Sequence, residues 1–103
     1  MIRIALTTFP EEEAAEQAAR TLVTENLAAC GTILPGARSI YRWEGKIEDS
    51  REVVVLFKID AANQDRFEAR LLELHPYDVP EMVFLLPSHV HAPYAQWIVA
   101  AGK

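Results

Sequence analysis

The sequence predicts an α+β fold with a single antiparallel sheet, and three observations carry that prediction. Apolar residues alternate with period two in four stretches and recur with helical spacing in the two stretches that separate the outer ones. The order of these segments is β-α-β-β-α-β, with a short apolar helix at the end. One hairpin is out of scale with the rest, its arms running about fourteen residues each where strands of ~5–6 are usual.

Each element has a local reason. Ile2 to Thr8 reads as the first strand, with Ile2, Ile4 and Leu6 on one face. Thr8 is placed to cap the next helix, with Glu11 three residues later as its capping-box partner. Glu11, Glu12 and Glu13 load the first turn with the charge a helix dipole favours. Ala15, Ala18, Ala19, Leu22 and Val23 form one buried stripe, and the helix ends near Asn26. Ala28 to Ile33 resumes a strand, Pro35-Gly36 bends or bulges it, and Arg38 to Trp43 continues extended. Glu44-Gly45 is a tight turn, from which Lys46 to Ile59 returns.

That returning arm is apolar on both faces. Val53, Val55, Phe57 and Ile59 lie on one side, Val54 and Leu56 on the other, so the strand is expected to be central or covered twice. A second helix spans roughly 61–75 and buries Phe67, Leu71 and Leu74. Glu81 to Leu86 is the fourth strand, and Pro93 suits the first turn of a last helix carrying Tyr94, Trp97, Ile98 and Ala101. Right-handed crossovers put both main helices on one face of the sheet, the ferredoxin-like βαββαβ arrangement. Half of the long hairpin then has no partner within its own subunit. Unpaired apolar edges are covered in working proteins, and another copy of the chain is the simplest cover.

Composition bounds the rest. The 103 residues suit one domain, 1–103, and half of them are hydrophobic, which again points to an interface between copies. Ten basic against fifteen acidic residues leave a net charge of −5, a poor match for nucleic acid. The lone Cys30 can form no internal disulfide, and no secretory leader precedes the first strand, so a cytoplasmic protein is expected. The longest apolar run, Met82 to Pro87, is too short to cross a membrane.

The chemistry concentrates in His75-Pro76-Tyr77-Asp78-Val79-Pro80-Glu81. Pro76 should end the helix at His75, leaving the imidazole at a carboxyl terminus where the dipole favours its protonated form. Tyr77 is pinned between prolines, and with Glu81 nearby the segment reads as a binding site for copper(II), through imidazole and carboxylate, or for a small anion. Tyr41 and Trp43 share a face by strand alternation and read first as interface anchors, then as part of a ligand cage. Cys30 on a small-residue strand reads as an inert buried thiol before it reads as a metal ligand. His89 and His91 could chelate a surface ion and are taken as incidental. No nucleophile elbow, phosphate loop or His-Glu-x-x-His is present, so no catalysed reaction is expected.

Taken together, Leu27-Ala28-Ala29-Cys30, Pro35-Gly36, Ser39-Ile40-Tyr41-Arg42-Trp43-Glu44-Gly45-Lys46 and the His75–Glu81 block resemble the CutA family of divalent-cation tolerance proteins, in the family's order and nearly end to end. The resemblance implies a ferredoxin-like subunit, a homotrimer joined through the 38–59 hairpin, a likeness to PII signalling proteins, and a role in tolerance of copper and other divalent metals. By motif it implies a cleft between subunits holding Tyr41, Trp43, Lys58, His75, Tyr77 and Glu81, with Cys30, His75 and Glu81 as metal ligands. Any copper or other divalent cation would be weakly bound and none is obligatory. Two rival roles stand beside metal binding: a sensor holding a small anionic metabolite through Lys58 and His75, and a trimeric scaffold for an unknown protein partner.

Overall fold

The computed structural model describes residues 1–103. Its elements are β1 (Ile2–Phe9), α1 (Glu12–Thr24), β2 (Cys30–Trp43), β3 (Lys46–Asp60), a 3-10 turn (Ala61–Asn63), α2 (Gln64–Leu74), β4 (Met82–Leu85) and α3 (Ala92–Ala101). The sheet runs β2-β3-β1-β4 with every pairing antiparallel, the order the crossovers require. No helix is long and apolar enough to cross a membrane.

Strand alternation sorts the sheet into two unlike faces. Ala5, Phe9, Val53, Val55, Phe57 and Ile59 turn to the helices and are buried there. Against them lie Ala15, Ala18, Ala19 and Leu22 of α1 and Phe67 and Leu71 of α2. The small residues of α1 let it lie close to β2, where a Cβ on Gly31 would come within 2.9 Å of the Phe57 ring and 3.4 Å of Ala19. Phe57 meets Phe67 edge to face at 5.1 Å between centroids, an arrangement the ring quadrupoles favour. Thr7 puts its hydroxyl into this core with no partner, which costs about 1–3 kcal/mol.

The opposite face is left open. Ile4, Leu6, Val54 and Leu56 are half-buried there, and their neighbours Leu34, Val83 and Leu85 are 46%, 45% and 43% exposed. α3 covers one end of this face by setting Ile98 against Ile2 and Ala29. β3 is therefore central, as its two apolar faces require, but only one of them is fully covered within the chain.

The hairpin projects from this body. β1 pairs with β3 only from Val53 to Asp60, so the stretch of β3 before Val53 pairs with β2 alone. The bulge expected at Pro35-Gly36 is present, a register break between Leu34 and Ala37 with Gly36 at φ 84°. Glu44 and Gly45 both have positive φ, 50° and 80°, as a tight two-residue hairpin turn requires. The projection stretches the subunit to 45 × 26 × 22 Å.

Three local expectations are corrected. Thr8 does not cap α1: β1 runs on through Phe9, and the cap is Glu11, which makes no side-chain bond. Val23 falls at the edge of the α1 stripe and is 37% exposed. The fourth strand is shorter than 81–86, because β1 offers partners only to Met82–Leu85.

Candidate functional site

The overhang of the hairpin and the segment after α2 enclose a cleft of about 860 Å³ on the open side of the sheet. Strand register builds its first wall. Tyr41 faces Glu48 across the hairpin and Trp43 faces Lys46, while Ser50 and Glu52 continue the same face by alternation. The Tyr41 hydroxyl lies 3.2 Å from Ser50 Oγ, which fixes the phenol against the strand. Thr8, at the end of β1, forms the floor. Pro76, Tyr77, Asp78, Val79 and Glu81 make the second wall, and the Tyr77 hydroxyl closes the gap by donating to Glu52 Oε2 at 3.4 Å.

His75 holds that second wall in place. The residue is only 8% exposed, and its ring stacks on Phe9 with centroids 4.4 Å apart. Nδ1 accepts the backbone N–H of Tyr77 at 3.1 Å, so Nε2 carries the proton and donates to the Thr8 carbonyl at 2.7 Å. Burial pushes the imidazole pKa below its ordinary 6.5, against the smaller upward pulls of the Thr8 carbonyl and the Glu52 charge. The expectation of a protonated ring is therefore corrected. The residue ends the helix in extended conformation (φ −80°, ψ 136°) as Pro76 demands, and desolvation outweighs the helix dipole.

The cleft is electrostatically one-sided. Glu48, Glu52, Asp78 and Glu81 line it, and no Lys, Arg or His does. The Tyr77 phenol registers this field. Its pKa is raised first by burial, then by the Glu52 charge and hydrogen bond and by Tyr41.

Of the residues singled out from sequence, Tyr41, Trp43, Tyr77 and Glu81 line the cleft together. His75 stands behind it as a support with both nitrogens engaged. Lys58 is elsewhere: it pairs with Ile4 across β1 and donates to Thr32 Oγ1 at 2.6 Å and the Leu56 carbonyl at 3.3 Å. Ile4 and Thr8 are four residue steps apart on β1, about 13 Å at strand rise, so Lys58 and His75 of the same subunit do not meet. Cys30 is the cross-strand partner of Lys58 and lies 3.9 Å from Thr32 Oγ1. Tyr94 of α3 reaches it, and the phenol pKa is raised by burial first and then by the Cys30 charge and hydrogen bond. Within one subunit, Cys30, His75 and Glu81 therefore do not converge. No three His, Cys, Asp or Glu side chains converge on a point that could hold a metal ion. His89 and His91 are exposed in the linker to α3.

Sequence reasoning missed Glu48, Ser50, Glu52 and the Thr8 floor as cleft residues. A signal for the first three was available: counting back from the Glu44-Gly45 turn puts Glu48, Ser50 and Glu52 on the Tyr41 face.

An antiparallel sheet in the order β2-β3-β1-β4 with two helices packed on one face places the subunit in the ferredoxin-like class of α+β proteins. The chain belongs to the family of the CutA1 divalent ion tolerance protein, whose model matches residues 3–101. It is 42% identical over 98 residues to the divalent-cation tolerance protein CutA of Pectobacterium atrosepticum, spanning 95% of this chain and 89% of that one. The crystal structure of CutA from Xylella fastidiosa superposes with a TM-score of 0.96 at 40% identity, covering 99% of this chain and 98% of that chain. The periplasmic divalent cation tolerance protein CutA of Archaeoglobus fulgidus superposes at 0.95 with 27% identity, covering all of both chains.

Proposed function

We propose that this member of the divalent-cation tolerance family acts as a homotrimer in the cytoplasm, catalyses no reaction, and binds divalent cations weakly in its cleft, copper among them. The observation that carries the reading is the lining of the cleft: four carboxylates and no basic side chain. Such a lining concentrates cations and repels anions, which favours a cation over an anionic metabolite. Weak affinity follows from the donor set. A closed site needs several ligands converging at bonding distance, and a single subunit offers no group of three. Trimer formation is supported by the open apolar face and by the hairpin overhang, which both lack cover within the chain.

Native mass spectrometry of metal-free protein, titrated with copper(II) and zinc, tests the cation reading. Wild type is expected to gain a fixed number of ions per trimer with weak affinity. The pair Glu52→Gln and Glu81→Gln should lose them, and His89→Ala with His91→Ala should keep them. Ions lost only with the histidine pair would overturn the cleft as the site.

A further inference from the structure

The short turn that joins β3 to α2 holds more than its two neighbours. Asp60 Oδ1 accepts the Ala62 N–H at 3.1 Å and sets the shape of the turn. The Ala61 N–H donates to the Met1 carbonyl at 2.8 Å. Asn63 then reaches the residue that follows α3, its Nδ2 donating to the Gly102 carbonyl at 3.0 Å. One three-residue turn thus anchors the start of β1 and the end of α3.

Asn63 is built into this place. The residue is 3% exposed, and a buried amide is costly unless both of its ends are engaged. Here both are, because Arg66 donates to Oδ1 and fixes which end of the amide faces Gly102. Gly102 supplies the space. Its φ of −89° is open to any residue, so backbone conformation does not demand glycine. Contact does: a Cβ would lie 2.7 Å from Asn63 Nδ2 and 3.6 Å from Asp60 Cβ, and the bond from Arg66 keeps the amide from swinging aside.

The last helix depends on such a hold. It has ten residues, fewer than the ~12–15 at which an isolated helix becomes even marginal in water. His91 gives its N-terminus no side-chain cap, and Ile98 is its one fully buried residue, set against Ile2 and Ala29. All of these contacts are made within one chain, so they do not depend on which surfaces meet a second copy.

We propose that Asn63, Arg66 and Gly102 form a latch, and that α3 is a strap that leaves and rejoins the end of the sheet as a unit with this bond as its catch. Opening uncovers Ile2 and Ala29. It leaves the sheet and the other helices in place, because the main core draws no residue from α3.

The test is hydrogen–deuterium exchange, read by mass spectrometry on the assembled protein, for wild type, Gly102→Ala and Asn63→Asp. Gly102 lies outside every helix and strand, so its replacement does not unmake the fold. Asn63→Asp keeps an acceptor for Arg66 and removes the donor to Gly102. Exchange across residues 92–101 is expected to run roughly tenfold faster in both variants, the effect of losing one buried hydrogen bond, with α1, α2 and β3 unchanged. Wild-type exchange in Gly102→Ala overturns the latch. A rise spread evenly over the chain overturns it too, since that is lost global stability and not a local opening. Faster exchange in Gly102→Ala alone would mean crowding at Gly102 with no catch at Asn63, and would count equally against it.

Discussion

His75 shows how one residue can be read correctly for position and wrongly for protonation state. Its place at the end of α2 was legible, because proline at the next position forbids the helix to continue. Its protonation state was not, because that depends on Phe9 and Thr8, more than sixty residues away in sequence. The buried neutral ring has a measurable consequence. Since its folded pKa is depressed below the unfolded value near 6.5, the unfolded chain binds the extra proton first as pH falls. Stability contributed by neutral His75 is thus complete above about pH 6.5 and declines below it, down to the depressed folded value. Protonation would also set an N–H at Nδ1 against the Tyr77 N–H and remove the bond that holds the cleft wall. Urea midpoints measured at pH 7.5 and 5.5 should therefore fall for wild type and fall less for His75→Gln, whose amide nitrogen can still reach toward the Thr8 carbonyl. An equal fall in both proteins would show that the carboxylate groups, not His75, govern the acid response. Lys58 and Cys30 teach the complementary lesson: both are polar residues on the open face, yet register places them with Thr32 and Tyr94, away from the cleft.

Among the elements, the long hairpin carries the most function and depended least on the core for its prediction. Its length, its proline-glycine bulge and its tight turn all follow from local residue choices, and the register bears them out. The sequence could not announce its charge pattern by type alone, since Glu48 and Glu52 become cleft residues only once the turn fixes which strand positions face Tyr41. The overhang from Arg38 to Arg51 touches nothing else in the sheet, so it contributes little to the subunit's own stability. Arg38 and Asp49 form an ion pair on it, and such exposed pairs are worth about 0–1 kcal/mol. Replacing residues 38–51 by Asn-Gly, a favoured two-residue turn, should leave the circular dichroism of the fold intact. It should also remove cation binding in the cleft and lower the oligomer mass in analytical ultracentrifugation. Retention of the full oligomer by the trimmed chain would mean that the sheet face alone drives assembly.

At the scale of the molecule, the decisive feature is a sheet with helices on one side and nothing over most of the other. The helical side was predictable from periodicity, because α1 and α2 bury their stripes where β1 and β3 turn apolar residues toward them. The open side was predictable only as a surplus: half of the chain is hydrophobic, and the core cannot use all of it. Leu34, Val83 and Leu85 on the two outer strands are each close to half exposed, with Ile4, Leu6, Val54 and Leu56 between them. Contiguous apolar surface of this kind marks an interface in a soluble protein. A carboxylate introduced there remains solvated in the separated subunit and is stripped of water in the assembly, so its cost falls almost wholly on association. Leu34→Glu with Leu85→Glu should therefore shift the protein to monomer at micromolar concentration and leave the Phe57–Phe67 core folded. A like pair of substitutions on the outer face of α1, Glu16→Gln and Arg20→Gln, should leave the mass unchanged. If the leucine pair sediments as wild type does, the open face is not where copies meet, and the hairpin must hold the assembly by itself.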